Sequence, residues 1–178
     1  MKRIAGFGST VVLATILGLS GRAPAAAQPA GQEALAIVVN RANPISDLSI
    51  TELRKAFLGG QQRWANGRKI TVVMRPAGDV DRAVVLRLVC RMSEAEFQKH
   101  VLQAAFTGEA PAGPRVLDTA RGVRRFVFNV PGAIGYMRLS EVDDTVKVIH
   151  VEGLAPTDPG YRLTVAARPP GAVSASGG

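Results

Sequence analysis

The chain has 178 residues, 22 of them Lys or Arg against 14 Asp or Glu, for a formal charge of +8. Its single cysteine excludes an intramolecular disulfide, so any core must hold by packing alone. With two histidines, no Cys-x-x-Cys and no His-Glu-x-x-His set, the composition also offers no conventional zinc site.

Met1-Lys2-Arg3 places two cations ahead of an uncharged apolar run from Ile4 to Leu19, the pattern of a secretory signal peptide. Ala25-Ala26-Ala27 supplies the small side chains that a signal peptidase accepts, which predicts cleavage after Ala27 and Gln28 as the new N-terminus. The alternative, an uncleaved anchor, needs ~20 apolar residues, and this run has 16. No cysteine lies nearby to carry a lipid, so a periplasmic product with no stable membrane anchor is expected. Without Lys2, Arg3 and Arg22 the balance is 19 basic to 14 acidic residues, or +5. On an exported chain that scattered charge argues against a nucleic-acid partner.

Residues 28–34 read as a flexible lead-in. Leu35 to Asn40 is a continuous apolar run ended by a polar residue, the signature of a strand buried on both faces. Ser49-Ile50-Thr51-Glu52 is a capping box, and Ile50, Leu53, Phe57 and Leu58 follow at helical spacing until Gly59-Gly60. Asn66-Gly67 turns the chain into a second strand, Ile70 to Met74. Asp79 or Asp81 caps a helix with Val84, Val85, Leu88 and Val89 inward, broken near Met92. Ser93 to Glu96 is a second capping box, opening a helix whose inward stripe is Phe97, Val101, Leu102 and Ala105. Asp118-Thr119 caps a helix to about Asn129, and strands follow at Ala133 to Tyr136 and Val146 to Val151. From residue 154 to 178, Pro, Gly and Ser predict a disordered tail. The order of elements indicates one α/β domain over 35–153, with helices packed on a small mixed sheet.

Catalytic signatures are absent, so a protein without enzymatic activity or cofactor is expected. Glu96 and His100, one turn apart, read as a surface pair, and Cys90 among Val and Leu as buried and inert. The strand-loop-helix from Val72 to Arg82 is more informative. A glycine-containing loop that opens a helix presents free amides to an anion, and Arg75 at its start adds a bidentate donor. Asp79 and Asp81 already satisfy the helix dipole there, so an ordinary acidic N-cap is the competing reading.

Three stretches carry a resemblance: Ile37-Val38-Val39-Asn40 with Asn43-Pro44; Leu53 to Gly59 leading to Trp64; and Pro131-Gly132-Ala133-Ile134-Gly135-Tyr136. Together they resemble the second lobe of the phosphate-binding proteins of ABC phosphate transporters, over about residues 35–151. The resemblance implies a single small lobe of the type 2 periplasmic-binding-protein-like fold. In that family the second lobe holds phosphate with an Arg and an Asp-Gly-Ser-Gly-Thr loop. Arg75 and Gly78 match this pattern, while Asp79 stands at the Ser, Val80 at the second Gly and Asp81 at the Thr. The implied ligand loop is therefore Arg75, Gly78, Asp79 and Asp81, with two hydroxyl donors replaced by carboxylates.

Two functions follow as expectations. One is an exported binding module for phosphate or another small anion, working with an ABC transporter and pairing as a homodimer to rebuild a two-lobed cleft. The other is an envelope scaffold without phosphate binding, in which Arg121, Arg124 and Arg125 meet a protein or acidic surface.

Overall fold

The computed structural model describes residues 31–108 and 113–168. Strand β1 (Gln32–Asn40) is the centre of its sheet, pairing antiparallel with β5 (Ala133–Arg138), β6 (Val146–Val151) and β7 (Thr164–Ala166). On the far side of β5, strand β3 (Thr71–Met74) runs parallel to it and to the short β4 (Arg115–Val116). Beyond β6 lies β2 (Asp47–Leu48), which gives the order β2-β6-β1-β5-β3-β4 with β7 attached to β1. Ala34 through Val39 are each at most 1% exposed, as a strand covered on both faces must be. Within that run the strand period still operates. Leu35, Ile37 and Val39 enter one core, and Ala36 and Val38 enter the other.

Helices cover both faces. Helix α1 (Ile50–Phe57) starts at the predicted box, with Ser49 and Glu52 capping each other, and buries Leu53, Ala56 and Phe57. Helix α2 (Val80–Val85) is capped by Asp79 and continues as a π turn over Leu86–Cys90, which Arg91 ends in the left-handed region at φ 56°. Helix α3 (Glu94–Thr107) opens at the second box and ends at Gly108. These three share one core, while α4 (Ala120–Asn129) covers the opposite face through Val123 and Val127. The result is a single α/β lobe on a mixed sheet, the architecture expected.

Four expectations need revision. The tail does not begin at 154, because Tyr161, Leu163 and Val165 are buried and β7 extends the sheet. Tyr161 Oη donates to the Leu35 carbonyl at 2.8 Å, and the Leu35 amide donates to Leu163 at 2.8 Å. The alternation of those three residues is a strand signal, masked by the surrounding prolines and glycines. At the other end, Gln32 to Ala34 belong to β1 rather than to a lead-in. In α2 the wider winding of the π turn brings Leu86 inward and leaves Leu88 half-buried. In α3 the inward positions are Phe97, Val101 and Ala104, and Leu102 is 60% exposed, since it sits about 140° round the helix from Phe97. The predicted signal peptide, residues 28–30 and residues 169–178 lie outside the described residues. No helix among the described residues is long and apolar enough to cross a membrane.

Candidate functional site: the Arg75 loop

Strand β3 delivers the loop at its carboxyl end, where the Met74 carbonyl accepts the Leu117 amide at 3.0 Å. Gly78 turns the chain at φ 85°, a left-handed conformation that costs a glycine little. That turn brings Asp79 to the head of α2. Its Oδ1 accepts the amides of Asp81 at 2.8 Å and Arg82 at 3.2 Å, while its Oδ2 accepts Arg75 Nε and lies 3.1 Å from Arg75 Nη2. Two backbone amides and a guanidinium thus converge on one carboxylate, the donor set that an oxyanion takes. Asp79 is its occupant.

The loop is braced from three sides. Tyr136 Oη accepts the Arg75 amide at 3.0 Å, which fixes the first residue to β5. Burial raises the Tyr136 phenol above its ordinary range, so it remains protonated. Arg82 Nη1 donates to the Arg75 carbonyl at 2.9 Å, and the rest of that guanidinium grips Glu94 by two bonds of 2.7 Å. These bonds hold Glu94 below the usual carboxylate range, against the opposing effect of burial. Arg82 also lies over the Phe97 ring, 5.2 Å from its centroid. Arg75 Nη1 reaches the Leu117 carbonyl at 3.4 Å.

Of the four residues implied by the resemblance, the fold brings Arg75, Gly78 and Asp79 together. Asp81 turns inward instead. Its Oδ1 lies 2.9 Å from Arg138 Nη2, without an aligned hydrogen bond, and its Oδ2 accepts Arg138 Nε at 3.3 Å. Burial pushes the Asp81 carboxyl up although Arg138 pulls it down. Arg138 completes its contacts with Glu33 at 3.0 Å and the Ala166 carbonyl at 3.0 Å.

The other candidates have plain roles. His100 Nε2 is bonded to the Leu58 carbonyl at 2.9 Å. Cys90 is buried, and burial pushes its thiol up to about 12. Arg124 is tied to Asp143 at 3.0 Å and to the Glu141 carbonyl at 2.9 Å, which leaves Arg121 and Arg125 as the exposed arginines of α4. Sequence reasoning passed over Arg82, Glu94 and Arg138. Twelve residues and a helix break separate Arg82 from Glu94, and Arg138 meets Asp81 only through the sheet, so no local spacing marks either pair.

A family profile described as "PBP superfamily domain" matches residues 13–167. The chain belongs to the PBP superfamily. This PBP lobe is 31% identical over 127 residues to the phosphate-binding protein PstS of Bacillus subtilis (strain 168), covering 68% of this chain and 37% of that protein. Among solved structures it shares its fold with an ABC-type phosphate transport receptor from Vibrio cholerae. There the TM-score is 0.60, the identity 24%, and the coverage 76% of this chain and 55% of that one. A high-affinity periplasmic phosphate-binding protein solved with phosphate gives a TM-score of 0.50 at 25% identity, over 69% of this chain and 38% of that one. The chain thus spans 37–55% of the length of these relatives. The family expected from Pro131 to Tyr136 and its companion stretches is the one found, and the braces explain that motif. Gly132 lets the Lys69 carbonyl approach, and Tyr136 holds Arg75.

Proposed function

We propose that this chain is an exported, non-catalytic solute-binding module of the phosphate-binding-protein type. Its anion loop is Arg75 to Asp79, and its own Asp79 stands in the place of the anion. The observation that carries this reading is the convergence of Arg75 and the amides of residues 81 and 82 on the Asp79 carboxylate. A free anion enters by displacing that carboxylate, so the loop takes phosphate or a similar small oxyanion more weakly than a loop with serine at this position. An extracytoplasmic place, with residues 1–27 as the export signal, is supported by a relative described as periplasmic. Work alongside an ABC transporter is supported by a relative described as a phosphate transport receptor. A second copy of the chain is a natural cover for the half-cleft, since one lobe leaves a bound anion open to water.

Isothermal titration with phosphate tests the reading. Asp79→Ser removes the competing charge and keeps a capping oxygen. It is expected to bind phosphate at least about tenfold more tightly than the parent chain, because a carboxylate no longer competes for the same donors. Arg75→Ala, added to it, is expected to remove the binding. If Asp79→Ser gains nothing, the loop is only an acidic N-cap. The second reading then stands, an envelope interaction module that has given up phosphate, and the filled loop is what favours it.

A further inference from the structure

Helix α3 buries only Phe97 and Ala104 along its 14 residues, while Leu102 and Phe106 face outward at 60% and 83% exposure. Under its middle turns, between the end of α1 and β3, lies a cavity of about 400 Å³. Phe57, Ile70 and Ala104 form its buried floor, and Val72 and Val101 stay half-buried beside it, apolar surface that a tightly seated helix would have covered. The volume falls in the range of small-molecule sites, roughly 300–1,000 Å³.

Among the described residues, no acidic side chain lines this cavity. Three basic side chains do. His100 is bonded to Leu58, and the Arg115 guanidinium lies over the Phe126 ring, 5.9 Å from its centroid. Lys69, exposed at the rim, makes no ion pair among the described residues. An apolar floor with a cation at its edge complements a molecule with an apolar body and one negative group.

We propose that this cavity binds a small amphipathic carboxylate, its apolar body against Phe57, Ile70, Val72 and Val101 and its acid group toward Lys69. The site is separate from the Arg75 loop and does not depend on phosphate.

Titration of the purified protein with decanoate and with decanol, followed by calorimetry and by NMR shifts, tests the proposal. Decanoate is expected to saturate one site and to shift Ile70, Val72 and Val101, with decanol at least about tenfold weaker for want of a charge. Lys69→Gln is expected to weaken decanoate about tenfold and to leave decanol unchanged. Arg121→Gln leaves both ligands unchanged. Lys69 and Arg121 are both exposed, so neither variant threatens folding. Equal affinities for decanol and decanoate, a Lys69→Gln variant no weaker than Arg121→Gln, or shifts confined to other residues would each overturn it.

Discussion

The guanidinium of Arg138 lies 2.9 Å from the carboxylate of Asp81 inside the protein, and it holds Glu33 at 3.0 Å with the same group. One side chain therefore ties the end of β5 to the start of α2, to β1 and, through the Ala166 carbonyl, to β7. Asp81 and Arg138 are each 6% exposed, so neither charge has water to fall back on. Arg138→Met is expected to cost about 3–5 kcal/mol, because it strands the carboxylates rather than merely deleting a bond. The urea midpoint measures this, and Arg121→Met on the surface of α4 is expected to change stability by under about 0.5 kcal/mol. A loss of that small size at Arg138 would show the pair to be solvated.

A methyl group at position 132 would sit 2.0 Å from the Lys69 carbonyl oxygen. Both partners are backbone, and the Gly132 carbonyl is itself fixed by Trp64 Nε1 at 3.0 Å and the Thr71 amide at 3.1 Å. Gly132→Ala is expected to destabilise by at least about 3 kcal/mol, since neither backbone segment can yield without losing those bonds. Trp64 fluorescence during thermal unfolding reports the loss directly.

Cys90 is expected to stay inert toward a thiol reagent at pH 8 in the native protein and to react at once in denaturant, because its folded thiol ionises only near 12. The same displacement makes stability fall in alkali. A proton held more tightly in the folded state stabilises fully below the ordinary thiol value of 9.0, and the contribution is lost as pH rises toward 12. Cys90→Ala should therefore be less sensitive to pH above 9 than the parent chain, as read from urea midpoints.

Glu94 works in the opposite direction. Hydrogen bonds from Arg82 lower its folded value, so its contribution is present above the ordinary 4.5 and lost as pH falls through the lower folded value. In Glu94→Gln the drop in stability between pH 6 and pH 3 is expected to be smaller than in the parent chain, though not abolished. Glu33 and Asp143 are also held low and still titrate. An unchanged acid limb would mean that Arg82 holds the Arg75 carbonyl without help from Glu94.

Local pattern was enough for the helix starts, because a capping box states its geometry within four residues, as Ser49 to Glu52 and Ser93 to Glu96 do. It was enough for β1 from Leu35 onward too, where an unbroken apolar run requires cover on both faces. It failed at β7, where Tyr161, Leu163 and Val165 alternate within a segment whose composition suggests disorder. At the candidate site, the loop and the residue standing in each place could be read. What could not be read was that Asp79 turns toward Arg75 while Asp81, two residues on, turns away to Arg138. That divergence depends on β5 lying beside β3, a relation between residues about 60 apart in sequence.

The central place of β1 bears on how the chain is made. Among the described residues it is the first strand in sequence, and its partners begin at residues 133, 146 and 164. While the chain is being synthesised, this apolar strand has no neighbour to pair with until β5, at residues 133–138, has emerged, and its pairing is complete only with β7. High contact order of this kind slows folding and denies the nascent chain a stable partial structure. In most proteins that delay is a hazard. Under the export proposed for this chain, the same delay keeps the polypeptide unfolded for the crossing.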